Sequence, residues 1–226
     1  MELTFLGTGS AFNTKAGNTS AYFIDAHVLY LFDCGSSIFE EIKEQNLLSD
    51  INEINVFITH THGDHIGSLS TLIEYCYYVL KIPIYLICSD TRIVDILSGM
   101  HIKDNMYEYY DKHVYTFDKY FIGIFDVEHD GEKASSFSVE ILNDGITIDK
   151  LFYSGDTKSV SSIAVETAKK GYNVYHECSV GSSVHTSIYE LRDKIEKKYR
   201  KHVYLMHLDS TELKDIAIDM GFNVIS

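Results

Sequence analysis

The chain of 226 residues contains one proline, Pro83, and no tryptophan, and neither scarcity selects a chemistry. Cysteine is scarce in a more informative way. Cys34, Cys76, Cys88 and Cys178 stand far apart and form no Cys-x-x-Cys, so free thiols packed as small core residues in a reducing cytoplasm are expected. Positive charge is also short: 19 basic residues face 33 acidic ones, and the formal charge of −14 lacks the electrostatic footprint of a nucleic-acid binder. No apolar run approaches the ~20 residues of a membrane span. Met1 leads directly into the strand-like ELTFLG, so no signal peptide and no membrane contact are expected. No low-complexity stretch or Pro/Gly-rich linker divides the chain, and residues 1–226 read as a single domain.

With 45% hydrophobic residues, the chain has enough to bury an ordinary globular core. ELTFLGT, SAYFIDA and HVLYLFDCG read as strands, INVFITH as a buried strand, and Ser36–Asn46 as a helix. A helix over Ile66–Lys81, the strand IPIYLIC and a helix in SDTRIVDILSG follow. The tyrosine-rich 100–121 segment shows no clean alternation. Beyond it come the strands FIGIFDVEH, SFSVEILND, ITIDKLFYSGD, NVYHECS, HVYLMHLD and FNVIS. Helices are expected near Val160–Lys170, through SIYELRDKIEKKYR and in TELKDIAIDMG. Strands interspersed with helices in two similar halves suit an α/β fold of two stacked mixed sheets with helices outside.

The stretch ITHTHGDHIGS crowds His60, His62, Asp64 and His65 into six positions at the end of a strand. Buried without partners, these groups would each cost several kcal/mol; a metal is the simplest explanation. Imidazole nitrogens and carboxylate oxygens are ordinary zinc ligands. His60 and His62, separated by one residue on extended backbone, can share one ion, while Gly63 frees the chain to aim Asp64 and His65 at a second. Further donors sit at other strand ends, where sites are usually built: His129, Asp156 in LFYSGD, and His207 in HVYLMH.

His-x-His-x-Asp-His, a later His, Ser-Gly-Asp-Thr and a strand-final His resemble the metallo-β-lactamase fold, an αββα sandwich. FLGTGSAF and LFDCGSSIFEEI point to its phosphodiesterase branch, which includes ribonuclease Z. The resemblance implies that His60, His62 and His129 hold one zinc, that Asp64, His65 and His207 hold the other, and that Asp156 bridges them. Manganese is an alternative metal. It implies for Asp33 a supporting place behind the histidine loop. Two such metals activate a water for attack on a carbonyl or a phosphorus, which makes a hydrolase without choosing the bond.

YHECSVGSSVHTSIYEL resembles the paired His-Glu-Ala-Thr and His-Ser-Thr segments of ribonuclease Z, with His-Thr-Ser here for the second. By that resemblance His185 assists the phosphoryl group or its leaving oxygen and Glu177 orients it. Asp64, His185 and Glu177 are the catalytic candidates, and His176 is not expected to reach the metals. Only 26 residues separate His129 from Asp156, too few for the basic arm with which ribonuclease Z grips tRNA. The chain is therefore similar to the compact cyclic-nucleotide phosphodiesterases of this fold, among them the phage anti-Pycsar proteins. That similarity implies a homodimer that hydrolyses 3′,5′-cyclic mononucleotides, cyclic CMP and cyclic UMP among them. It would act in the cytoplasm (the host's, for a phage-encoded chain) and form no stable nucleic-acid complex. A tRNA 3′-end endonuclease is the alternative. Tyr107, Tyr109, Tyr110 and Tyr115 are candidates for stacking on the base, and Asn18 or Ser20 for meeting phosphate or sugar.

Overall fold

The structure, a computed structural model, describes residues 1–225, without the side chain of Thr211. The chain falls into two compact units, residues 3–112 and residues 113–226 together with Met1–Glu2.

The first unit is built on a six-stranded sheet. Its elements in chain order are β1 (Thr4–Gly7), β2 (Ser20–Asp25), β3 (Val28–Phe32), α1 (Ile38–Glu44), β4 (Glu53–Phe57), α2 (Gly63–Ile66), α3 (Leu69–Tyr75), β5 (Ile84–Ile87), α4 (Arg92–Gly99) and β6 (Glu108–Tyr110). The strands lie in sequence order. β2 runs antiparallel to β1 and β3, and β3 through β6 are mutually parallel, so β1, β3, β4, β5 and β6 all point the same way. Alternation along the strands sends Leu29, Leu31, Ile54, Val56 and Leu86 to one face. There they pack against Ile38 and Ile42 of α1, Leu72 and Ile73 of α3, and Ile93 and Leu97 of α4.

The expected helix over Ile66–Lys81 is interrupted. α2 ends at Gly67, and α3 loosens into a π-helical turn over Cys76–Leu80 before Lys81 leaves in the left-handed region at φ 61°. The irregular 100–121 segment contains β6 and, in the second unit, β7, strands too short to show a period.

The second unit carries a seven-stranded sheet of β7 (Val114–Phe117), β8 (Tyr120–His129), β9 (Glu132–Asn143), β10 (Ile146–Tyr153), β11 (Asn173–Glu177), β12 (Val203–Met206) and β13 (Asn223–Val224). β7 to β10 form an antiparallel meander, and β10 to β13 are parallel. Two reversals separate β8 from β10, so β8, β10, β11 and β12 share one direction. Helices α5 (Ser162–Lys169), α6 (Ile188–Lys194) and α7 (Thr211–Asp219) cover Phe152, Val174, Val203 and Leu205 with Ala164, Ala168, Leu191, Leu213 and Ala217. The helix expected through SIYELRDKIEKKYR stops early. Ile195 is extended and buried, and a separate 3-10 turn covers Lys197–His202. The Arg200 guanidinium donates to the carbonyls of Arg192, Ile195 and Met220, bonds that an unbroken helix would forgo.

All four cysteines are buried and unbridged. Burial pushes the Cys34 and Cys76 thiols up to about 12, so both are inert. Among the described residues, no helix is long and apolar enough to cross a membrane.

Candidate active site

In each unit the candidate residues leave the C-terminal ends of strands that point the same way. In the first unit Asp33 follows β3 and His60 follows β4, with His62 capping the single turn of α2 that carries Asp64 and His65. Gly63 opens that turn without a left-handed φ, so the special backbone freedom expected of it is not used. The left-handed residue is Asp33, at φ 62°.

Asp33 is fully buried and organises the cluster. Its Oδ1 accepts the Thr59 backbone N–H at 2.8 Å, and the Thr59 hydroxyl donates to the same carboxylate at 3.0 Å. Its Oδ2 faces His65 Nδ1 at 2.9 Å. A hydroxyl that donates to Asp33 has a lone pair left for the Nδ1–H of His60, 3.0 Å away. Both rings are thereby set with the proton on Nδ1 and the lone pair on Nε2, the tautomer a metal requires. His60 Nε2 and His62 Nδ1 lie 2.9 Å apart, close enough to reach one ion. His65 Nε2 lies 3.4 Å from Asp64 Oδ2. Burial raises the Asp33 carboxyl, opposed by His65 and Thr59.

In the second unit His129 ends β8, Asp156 follows β10, Glu177 ends β11 and His207 follows β12, itself left-handed at φ 58°. Asp156 Oδ2 is 3.7 Å from His129 Nε2, 3.5 Å from His207 Nε2 and 3.8 Å from His185 Nδ1. His129 Nδ1 donates to the Val184 carbonyl at 3.1 Å, which again turns an Nε2 lone pair outward. His129, Asp156 and His185 each offer a ligand atom within 4.8 Å of the others. Donors this close, with tautomers fixed from behind, fit a divalent metal in chemistry and in spacing.

His185 and Glu177 do meet. His185 Nδ1 lies 3.2 Å from Glu177 Oε2, while Oε1 accepts the backbone N–H groups of Thr186 at 2.8 Å and Thr157 at 3.2 Å. Burial raises the Glu177 carboxyl, and His185 opposes it. Thr186 Oγ1 donates to the Thr157 carbonyl at 2.8 Å, tying the His185 loop to the Asp156 loop. Thr59 and Thr186 are residues that sequence reasoning passed over. The signal for each was a hydroxyl flanking a named histidine. His176 stays apart: its Nδ1 donates to the Glu177 carbonyl at 2.7 Å, and burial lowers the imidazole to about 4.

Tyr107 and Tyr115 are buried, at 9% and 8% exposure, and present no face to a base. The hydroxyls of Tyr109 and Tyr110 donate to the Cys88 carbonyl and to Glu108. Asn18 is bonded to Ser37 in both directions, and Ser20 is buried with its hydroxyl donating to the Asp33 carbonyl.

The family model described as Anti-Pycsar protein Apyc1 matches residues 1–225. The protein of that name from Bacillus phage 010DV004 is 29% identical over 235 residues, covering 92% of this chain and 88% of its own. In fold, the metallo-β-lactamase fold protein YhfI from Bacillus subtilis superposes with a TM-score of 0.74 at 15% identity, over 99% of this chain and 95% of its own. Human tRNase Z, short form, gives 0.68 at 20%, over 100% and 96%. Two mixed sheets with strand-end histidines and aspartates thus belong to the metallo-β-lactamase fold. The chain is a metal-dependent phosphodiesterase and belongs to the anti-Pycsar protein Apyc1 family.

Proposed function

We propose that the chain hydrolyses 3′,5′-cyclic mononucleotides to linear nucleoside monophosphates with two bound zinc ions, and so removes a cyclic-nucleotide defence signal of a host. In this proposal His60, His62 and His129 hold one ion, Asp64, His65 and His207 the other, and Asp156 serves both. When bound, the metals supply Lewis-acid polarisation of the phosphoryl group and a water activated for attack.

The chain's own residues do the rest. Asp33 and Thr59 hold His60 and His65 in the ligand tautomer. Glu177, fixed by two backbone N–H groups, faces His185 Nδ1 and favours the imidazolium. His185 Nε2 can then give its proton to the leaving 3′-oxygen as the ring of the cyclic phosphate opens.

What carries the choice of a small substrate is the hairpin between His129 and Asp156. β9 and β10 take up that interval and reverse directly through Asp144 and Gly145. The −14 charge disfavours a polyanion and matters little for a substrate with one charge. The chain is proposed to work as a homodimer in the cytoplasm of the cell that holds the signal.

The test is turnover of cyclic AMP, GMP, CMP and UMP beside a precursor tRNA, by wild type and His62→Ala. Linear monophosphate from wild type alone, abolished by a chelator and insensitive to salt, is expected. Cleaved precursor tRNA with intact cyclic nucleotides would establish the tRNA endonuclease instead.

A further inference from the structure

Phe12 is 96% exposed, whereas no other large hydrophobic side chain among the described residues exceeds 69%. A lone apolar side chain in water is common, and its location decides whether it means anything. Phe12 sits in the loop between β1 and β2. Because β1 runs parallel to β3 and β4, that loop leaves the sheet at the end from which Asp33 and the His60–His65 segment emerge.

The loop is tied at both levels. Within it, backbone bonds join Thr8 to Ala16, Gly9 to Gly17, Asn13 to Ser10, Ala16 to Asn13 and Thr19 to Gly9. At its root the Asn18–Ser37 pair of bonds, 2.9 and 3.1 Å, fixes it beside Gly35, where an added Cβ would meet both Asn18 Cβ and the Asp64 carbonyl. A loop this well bonded holds its phenyl ring in water instead of letting it fold back. Charge gives a second, independent indication. Residues 3–24 contain no Asp or Glu in a chain that has 33, and Lys15 lies three positions from Phe12. The loop is thus an anion-tolerant spot on an acidic protein.

We propose that Phe12 is the residue on which the nucleobase of a nucleoside monophosphate, cyclic or linear, stacks at the substrate site. An aromatic face accepts any base and sets affinity more than rate. This assignment rests on the cyclic-nucleotide activity proposed above for the choice of ligand.

The experiment measures KM and kcat on cyclic nucleotides, and by calorimetry the binding of linear nucleoside 5′-monophosphates and of ribose 5-phosphate. The proteins are wild type, Phe12→Ala, Phe12→Leu and Phe12→Tyr. Phe12→Ala should raise KM and the nucleotide Kd about 5- to 150-fold, with kcat moved far less. Phe12→Leu should remain impaired, Phe12→Tyr should restore affinity, and ribose 5-phosphate should bind all four proteins alike. KM and Kd within twofold of wild type for Phe12→Ala would overturn the proposal, as would equal loss for ribose 5-phosphate. Nucleotide binding that depends on Phe12 without any opening of cyclic nucleotides would sink the proposed activity and leave the stacking role standing. A wild type that binds no nucleotide would sink both.

Discussion

Adding one methyl group at Gly35 should disable the candidate metal centre without altering the side chain of any candidate ligand. An ideal Cβ at Gly35 would lie 1.9 Å from the Asp64 carbonyl oxygen, 2.6 Å from its carbon and 2.7 Å from Asn18 Cβ. Opening the first contact from 1.9 Å to 3.0 Å, the least that real Cβ atoms show, parts the Gly35 and Asp64 backbones by about 1.1 Å. The segment cannot yield quietly. Cys34 N–H donates to the His65 carbonyl at 2.7 Å, Ser68 N–H to the Cys34 carbonyl at 3.1 Å, Ser68 Oγ to the Gly35 carbonyl at 2.6 Å and Ser36 Oγ to the Gly63 carbonyl at 3.1 Å. Overpacking of this kind costs about 1–3 kcal/mol, which for a chain of this length lowers Tm by roughly 2–12 °C. A displacement of about 1 Å at a catalytic group costs ~10²-fold in rate. We therefore expect Gly35→Ala to lose about 100-fold in kcat/KM and to bind less metal per chain, read by turnover, thermal melting and elemental analysis. Gly99→Ala adds the same methyl where nothing lies within 4 Å and serves as the control. A Gly35→Ala protein with wild-type melting and activity within twofold would refute the reasoning.

Asp33→Asn should weaken metal affinity ~10- to 100-fold in a chelator competition, because His65 and Thr59 lose the carboxylate that fixes their hydrogen-bond roles; unchanged affinity would remove Asp33 from its supporting role. Thr186→Val keeps the shape of the side chain but strips the donor from the buried Thr157 carbonyl, at a cost of ~1–3 kcal/mol. It should lower kcat more than it raises KM, and Thr186→Ser should recover it. His176 adds a pH dependence. Its folded value of about 4 lies below the ordinary 6.5, so below pH 6.5 the unfolded chain takes up a proton that the folded chain refuses, and stability falls with pH. Between pH 7 and pH 5 that costs about 2 kcal/mol. Urea denaturation of wild type and His176→Gln should show their stability difference changing by that amount, and a difference constant with pH would contradict it.

The site was legible where chemistry and chain direction coincide. His60, His129, Asp156 and His207 lie at or just beyond the C-terminal ends of strands, and His62, Asp64 and His65 follow His60 within five positions, so chain direction alone gathers the candidate donors at strand ends. What stayed hidden depended on tertiary contacts. The periodicity of SIYELRDKIEKKYR predicts one helix. Burial of Ile195 and the three carbonyls capped by Arg200 outweigh it. The Ile66–Lys81 pattern likewise conceals Gly67, whose Cβ position meets Ser36 Oγ at 2.1 Å, and the π-helical turn that follows. Tyrosine abundance pointed to base recognition at 107–115. There Tyr107 and Tyr115 spend their rings on packing, while a single phenylalanine, with no periodic signal around it, stands in solvent.

The hairpin of β9 and β10 has a consequence for how such enzymes change allegiance. Its turn, with Asp144 at φ 50° and Gly145 at φ 78°, lies at one end of two long strands. His129 and Asp156 lie at the other, roughly 35 Å away along β9. Lengthening a surface turn costs little, ~0.6 kcal/mol for each doubling of the loop. On the function proposed above, the size of the acceptable substrate is therefore set apart from the means of cutting it. In the proposed reading, an insertion or deletion at this turn changes the grip on long polyanions while the candidate ligands keep their places.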